Sequence, residues 1–118
     1  MALRTHFQPD STVVEVDGVV DACSAGRLSD CVASLDGRTQ PLVVDLSRVY
    51  FFGGDGFRAL AGIDEKCWRI NVRWALVTSE AVDRLLRVVG PDHMFPITAT
   101  VEEAVRRLTV ATPAEVAR

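Results

Sequence analysis

The sequence is poor in the residues that catalysis and metal binding most often use. Among its 118 residues there are only two histidines, His6 and His93. Nucleophilic catalysis needs a Ser or Cys beside a His and an orienting acid, and a metal site needs three or four convergent ligands. His6 lies near the start of the chain, and His93 lies in a Gly-Pro-Asp-His turn, where an exposed, idle histidine is the simpler interpretation. We therefore expect no enzyme, no bound metal and no cofactor.

Cysteine, positive charge and long apolar runs are also scarce. The three cysteines, Cys23, Cys31 and Cys67, are an odd number without Cys-x-x-Cys spacing, which predicts neither a disulfide framework nor a zinc site. Their redox role stays open. Thirteen basic residues against sixteen acidic ones predict no nucleic-acid surface. No apolar run approaches the ~20 residues of a membrane span and no signal peptide opens the sequence, so we expect a cytoplasmic protein without a membrane partner.

The composition and the length of the chain suit one folded domain. Hydrophobic residues make up 48% of the chain and charged residues 25%, which is usual for soluble globular proteins. The length is that of a single domain. We assign residues 1–110 to this domain and residues 111–118, which show no pattern, to a flexible tail. The sequence leaves the oligomeric state open.

Strand and helix patterns alternate along the chain. Such alternation implies βαβ units, and therefore an α/β fold with a mixed, mostly parallel sheet of four or five strands and about four helices. Asn71 suits a helix C-cap, Ser79 an N-cap, and Thr100 with Glu103 a capping box. The predicted strands cover residues 3–8, 12–16, 42–46, 72–77 and 94–97. The predicted helices cover residues 24–35, 80–89 and 101–108, with a further helix that begins near residue 55.

The stretch from Pro41 to Trp68 is the centre of this pattern. After its strand comes Gly53-Gly54-Asp55-Gly56, which predicts a tight turn because three glycines in four residues are unfavourable in a regular element. Asp55 then lies in the first turn of an amphipathic helix, where the helix dipole favours an acid. A phosphate-binding P-loop is excluded because Phe57-Arg58 follows, rather than Lys and Ser or Thr. On the turn alone, a connector without function is as good an interpretation as a site.

A family resemblance rests on the residues around this turn. Asp45-Leu46-Ser47, Val49 and Gly56-Phe57 resemble the core motif of STAS domains, the bacterial anti-sigma factor antagonist family. That motif typically runs Asp-Leu-Ser-x-Val-x-Phe-hydrophobic-Asp-Ser-Ser/Thr-Gly-Leu. Gly18-Val19-Val20-Asp21 is similar to the Gly-x-hydrophobic-Asp of the family, and the resemblance covers roughly residues 3–108. It implies a β-α superhelix whose first strand is antiparallel.

The resemblance also implies a phosphorylation site that this sequence has lost. In the family, the hydroxyl residue after the motif's second Asp accepts a phosphate from a partner kinase, which doubles as the anti-sigma factor. Here that Asp is replaced by Gly53, the phosphoacceptor by Gly54 and the next hydroxyl residue by Asp55. Asp55 either caps the helix and faces inward, or points outward and imitates the phosphorylated form in part. We expect no phosphorylation at Gly54.

Two functions are compatible with these features. The first is a regulatory module of bacterial transcription and stress response that binds an anti-sigma factor, a histidine-kinase-like ATPase, without the usual serine switch. The alternative is a STAS-like sensor that holds a small molecule or nucleotide at the helix N-terminus, although Asp55 would repel an anion there. For Asp21, N-capping of the following helix is as good an interpretation as a partner contact. The predicted partner-binding residues are Asp21, Gly53, Gly54, Asp55, Gly56 and Arg58.

Overall fold

The computed structural model describes residues 1–35, 40–89 and 95–109 of the chain. These ranges contain five strands and four helices. The strands are β1 (Ala2–Phe7), β2 (Thr12–Val20), β3 (Leu42–Phe52), β4 (Trp74–Val77) and β5 (Ile97–Thr98). The helices are α1 (Ala25–Ala33), α2 (Gly54–Arg69), α3 (Glu80–Val89) and α4 (Val101–Thr109).

The five strands form one sheet whose order follows the chain, β1-β2-β3-β4-β5. β1 pairs antiparallel with β2, and the three later pairs are parallel. A short turn can reverse the chain between β1 and β2, whereas parallel neighbours need a crossover, which α1, α2 and α3 provide. The predicted mixed, mostly parallel sheet is confirmed, and so is the antiparallel first strand that the resemblance implied.

Helices cover both faces of the sheet, and neighbouring strand residues contribute to opposite faces. Val14 and Val44 belong to the larger core, which also holds Leu60 of α2. Val13 and Val43, each one residue earlier, belong to the smaller core beneath α4. Successive strand side chains point to opposite faces, so a strand covered on both sides must be apolar at consecutive positions. This explains the unbroken apolar runs that mark these strands in the sequence.

β2 and β3 are longer than the sequence predicted. They were expected to cover residues 12–16 and 42–46, but their parallel pairing continues to Val20 opposite Phe52. Gly18, two residues beyond the predicted end of β2, stays within the strand with φ of 104°. The ladder absorbs two register shifts on the way, between Glu15 and Asp17 and again after Gly18. Bulges of this kind bend and twist a strand without ending it, so apolar pattern alone placed the ends too early.

The predicted helix caps are confirmed. Asn71 has φ of 59°, the left-handed conformation expected after a helix. The Ser79 hydroxyl accepts a hydrogen bond from the Val82 N–H at 3.3 Å. At α4 the Thr100 hydroxyl accepts from the Glu103 N–H at 3.1 Å. The Glu103 carboxylate accepts a hydrogen bond from the N–H of Ala99. In the usual capping box the donor is the N–H of the N-cap residue, here Thr100, so the donor in this box lies one residue earlier.

Some predicted boundaries differ from the structure or fall outside the described residues. α1 begins at Ala25 and ends at Ala33, inside the predicted range of 24–35. β5 is Ile97–Thr98, whereas the prediction placed a strand at 94–97. His93 and the tail at 111–118 lie outside the described residues.

Candidate functional site

The predicted partner-binding residues gather where β2 and β3 end side by side. Val20 pairs with Phe52, and the N–H of Gly53 donates to the Val20 carbonyl at 3.0 Å. Asp21 follows Val20 directly, so Asp21 and Gly53 leave the sheet at the same point. The carboxyl ends of parallel strands are the usual location of sites in α/β proteins. The structure therefore brings together residues that lie far apart in the sequence.

Asp21 is held at the start of α1. Its Oδ1 accepts hydrogen bonds from the N–H of Cys23 at 3.0 Å and from the N–H of Ser24 at 3.1 Å. The Ser24 hydroxyl, 3.0 Å from the same oxygen, contributes most to lowering the pKa of Asp21. Hydrogen bonds to a carboxylate favour its charged form, which is the cause of this direction. Asp21 therefore caps the turn that leads into α1, close to the capping role predicted for it, and its carboxylate faces its own helix.

The glycine-rich segment is the first turn of a helix, and the predicted tight turn is wrong. Gly53 is the N-cap, with φ of −100° and ψ of −177°, and α2 begins at Gly54. The N–H groups of Gly56 and Phe57 both point back to the Gly53 carbonyl, at 3.0 and 3.2 Å. Glycine costs about 1 kcal/mol in a helix relative to alanine, which motivated the prediction of a turn. At Gly56, however, the packing against β3 leaves no room for a side chain.

Gly56 lies against the ring of Phe52, the last residue of β3. A Cβ at position 56 would lie 2.6 Å from Cε1 of Phe52, which is closer than real Cβ atoms approach a carbon. Both residues are buried. The absence of a side chain at Gly56 thus lets the first turn of α2 sit directly on the end of β3. Gly54 differs, because it is exposed and a Cβ there would meet nothing within 4 Å.

Asp55 faces the surface and forms an ion pair with Arg58. Its Oδ1 accepts a hydrogen bond from Nη2 of Arg58, one turn along α2. The Arg58 side chain is 72% exposed and that of Asp55 40% exposed. Residues three apart on a helix are neighbours, so this pairing needs no distortion. The structure thus differs from the inward, capping arrangement: the carboxylate points outward, and a cation of the same helix neutralises it.

A shallow groove between α1 and α2 runs beside this pair. Asp55, Arg58 and Ala59 line it from α2, and its volume is about 260 Å³. The opposite wall consists of small residues on and just before α1, namely Ala22, Ala25, Gly26 and Ser29. Sequence reasoning missed this wall, because no local pattern indicates which face of α1 meets the start of α2.

Two exposed aromatic residues at the same edge were also missed. Tyr50 is 75% exposed and Phe51 is 51% exposed, although both lie in β3. Strict alternation would bury one of them, but the register shift opposite Gly18 and Val19 interrupts the alternation. Together with residues of α3, which include Val88, they line a second groove of about 280 Å³. The sequence signal was the run of three aromatic residues before Gly53.

Asp45 and Ser47, which belong to the STAS-like motif, have a structural role at the first register shift between β2 and β3. The N–H of Ser47 donates to Oδ1 of Asp45 at 2.9 Å, and Asp45 is buried. This side chain satisfies a backbone donor where β3 shifts register against β2. The motif therefore shapes the strand that carries the site.

Metal-binding and membrane-spanning features are absent from the described ranges. No group of three or more His, Cys, Asp or Glu side chains lies close enough there to hold a metal ion. None of the helices found in those ranges has the length and apolar character needed to cross a membrane.

The order of the strands, the antiparallel β1 and the motif at the carboxyl end of β3 agree with a match to a known family. A family model described as the STAS domain matches residues 2–104. The chain belongs to the STAS family. The match covers the sheet and the start of α4, so the family assignment concerns the whole described fold of this STAS domain.

Curated relatives and solved structures agree with this assignment. This STAS domain is 35% identical over 113 residues to Osmosensory protein A of Mycobacterium tuberculosis, covering 92% of the chain and 72% of the relative. It is 30% identical over 95 residues to the Anti-sigma-F factor antagonist RsfB of the same species, covering 78% and 76%. A crystal structure of an anti-sigma factor antagonist from Mycobacterium paratuberculosis has a TM-score of 0.78 at 26% identity, covering 91% of this chain and 92% of the other. The domain is therefore similar to an osmosensory protein and to anti-sigma factor antagonists.

Proposed function

We propose that this STAS domain is a non-enzymatic regulatory module of the bacterial cytoplasm that binds an anti-sigma factor. The observation that carries the proposal is the similarity to the Mycobacterium paratuberculosis anti-sigma factor antagonist over nearly the full length of both chains. The relative named Anti-sigma-F factor antagonist points in the same direction. The partner we expect is an anti-sigma factor with a histidine-kinase-like ATPase domain, as the family resemblance implies.

The proposed binding surface is the edge at which β2 and β3 end. Gly54 and Arg58 are exposed there, and Gly53 and Asp55 are partly accessible. Gly56 is buried, so we propose that it supports the surface through Phe52 and does not contact the partner. Asp21 is partly accessible, but its carboxylate is engaged by Cys23 and Ser24. Its role is therefore to fix the start of α1 beside the partner.

The proposed interaction is independent of phosphorylation of this surface. Gly54 has no oxygen that could accept a phosphate, and the Asp55 charge is paired with Arg58. A phosphoserine carries about −1.5 to −2 charges, whereas a carboxylate paired with a guanidinium adds no net charge. The surface is therefore closer to that of an unphosphorylated domain, and we propose that it binds its partner constitutively.

The binding proposal is tested with the purified anti-sigma-F factor of Mycobacterium tuberculosis as the probe and RsfB as the positive control. We expect saturable binding of the wild-type chain in a titration by calorimetry. Gly54→Phe should weaken binding at least about tenfold, because a ring at this exposed position blocks the surface. Gly62→Phe is the matched control, since Gly62 is also an exposed glycine of α2, and a Cβ at that position would meet nothing within 4 Å.

The possible results separate the two functions considered for the sequence. If RsfB binds the probe and the wild-type chain does not, the proposed function is wrong. Thermal stabilisation of the chain by a nucleotide, without binding to the probe, would favour the sensor. Equal binding by Gly54→Phe and Gly62→Phe would mean that the binding surface does not include the start of α2.

Phosphate independence is tested by incubation with ATP and candidate kinases, read by intact mass. We expect no added phosphate on the wild-type chain. Gly54→Ser should gain one phosphate, since a side chain at this position has free space around it. A phosphate added to the wild-type chain that abolishes its binding to the anti-sigma-F factor would contradict the proposal.

A further inference from the structure

Among the described residues, Arg58 provides the only positive charge in the groove between α1 and α2. Of the described residues that line this groove, Asp55 and Arg58 are the only charged ones, and they pair with each other. The remaining wall consists of alanines, a glycine and Ser29. The groove therefore has no net charge, although it contains a carboxylate next to the proposed binding surface.

We propose that Arg58 is a positioning residue that determines which partner this groove accepts. It supplies from within the chain the cation that Asp55 requires, so the partner need not bring one. The side chains that face the groove on the partner are then apolar and uncharged, matching the wall formed by Ala22, Ala25 and Ala59. The inference rests on the proposed function, because that function provides the partner.

The energetic reason is that the Asp55 carboxylate is exposed to water in the free chain and is buried when a partner covers the groove. In the free chain the pair is largely solvated, and exposed ion pairs contribute little to folding. When a partner covers the groove, water leaves, and an unpaired carboxylate becomes costly to bury. The positive end of α2 offsets only part of that cost. Arg58 should therefore matter little for folding and much for binding.

The experiment is a binding titration of the wild-type chain and three variants against the purified anti-sigma-F factor. Arg58→Ala should weaken binding at least about tenfold relative to the wild-type chain, because Asp55 is then covered without a cation. The double variant Asp55→Ala with Arg58→Ala should regain most of the lost affinity, since the uncompensated carboxylate is gone. A purely structural role of Arg58 would not be rescued in this way.

The matched control is Arg69→Ala, in a second ion pair on the same helix. Arg69 lies 3.8 Å from Glu65, near the far end of α2, and its loss should leave the affinity unchanged. Wild-type affinity of Arg58→Ala, or a double variant as weak as Arg58→Ala alone, would overturn this inference while the proposed function stands. Absence of binding by the wild-type chain would overturn both.

Discussion

Gly56 shows how the neighbour of a glycine decides whether a side chain fits at its position. A side chain there would collide with the Phe52 ring, whereas Gly62, six residues later on α2, has nothing within 4 Å of a Cβ. Alanine gains up to about 1 kcal/mol over glycine in a helix, but overpacking a buried contact costs about 1–3 kcal/mol. Whether a glycine-to-alanine substitution on α2 raises or lowers the free energy of unfolding thus depends on what lies next to that glycine.

We predict that Gly56→Ala destabilises the protein by about 1–3 kcal/mol, because Phe52 must move away from the start of α2. Gly62→Ala, the matched control, should stabilise it by about 0.5–1 kcal/mol. Urea unfolding of both variants measures these changes. A stabilised Gly56→Ala would mean that Phe52 does not pack against α2.

The hydroxyl of Ser24 is predicted to control the acidity of Asp21. Ser24→Ala should raise the pKa of Asp21 toward its ordinary value of 3.8, since the largest cause of the lowering is removed. Because the folded pKa is the lower one, the stabilising effect of the carboxylate is present above about pH 3.8 and is lost as the pH falls through the folded pKa. A carboxyl NMR titration of wild type and variant checks the direction. An unchanged midpoint would contradict the assignment.

The thiols of Cys23 and Cys67 should differ in reactivity. Cys67 is buried and Cys23 is exposed. Burial raises the pKa of Cys67 to about 11, which leaves about one thiolate in a thousand at pH near 8. Ellman's reagent should therefore modify Cys23 quickly and Cys67 only when the protein unfolds. The variant Cys23→Ser should remove the fast phase, and a fast phase that persists in it would contradict the assignment.

At the scale of elements, α2 presents one face to the sheet and the other to solvent. Leu60 is fully buried in the larger core, and Arg58 lies on the exposed side. Leu60→Ala should cost about 2–5 kcal/mol through lost burial and the cavity left behind. Arg58→Ala should change stability by no more than about 0.5 kcal/mol, as is usual for surface changes. Chemical denaturation compares the two variants, and equal small losses would mean that the helix face is assigned wrongly.

The sequence predicted which elements exist better than it predicted where they end. Consecutive apolar residues such as Val43 and Val44 indicate a strand buried on both faces, and helical spacing indicated α2. The continuation of β3 to Phe52 depends on bulges and on pairing with β2, neither of which has a local signal. At the candidate site, motifs predicted Asp21 and the segment 53–58, and the structure places them where β2 and β3 end side by side. The pairing of Asp55 with Arg58 and the wall of α1 depend on tertiary geometry, so they required the structure.

At the scale of the whole molecule, α4 packs on the smaller core and its last turn is tied to the sheet. Leu108 closes the smaller core beneath the sheet. The guanidinium of Arg73 donates to the carbonyls of Arg107 and Leu108, each at 3.0 Å, and so satisfies acceptors at the end of α4. Carbonyl groups at a helix C-terminus need such partners, and Arg73, the residue before β4, supplies them.

We therefore predict that removal of residues 111–118 changes the free energy of unfolding by no more than about 0.5 kcal/mol. Arg73→Ala, which takes partners away from the end of α4, should destabilise the full chain by more than the truncation does. Thermal unfolding of the two proteins makes the comparison. A larger loss from the truncation would contradict the assignment of the domain to residues 1–110.

β3 extends well beyond the end of its neighbour β4. In the described structure β4 pairs with it only from Leu42 to Asp45, so the stretch that ends at Phe52 has β2 as its single strand neighbour. The hydrogen bonds of backbone amides in such a stretch open more readily than those in the centre of a sheet. A partner that binds at the end of β3 should slow the hydrogen exchange of the backbone amides along the whole stretch of β3 beyond β4. Docking could then be detected several residues away from the point of contact.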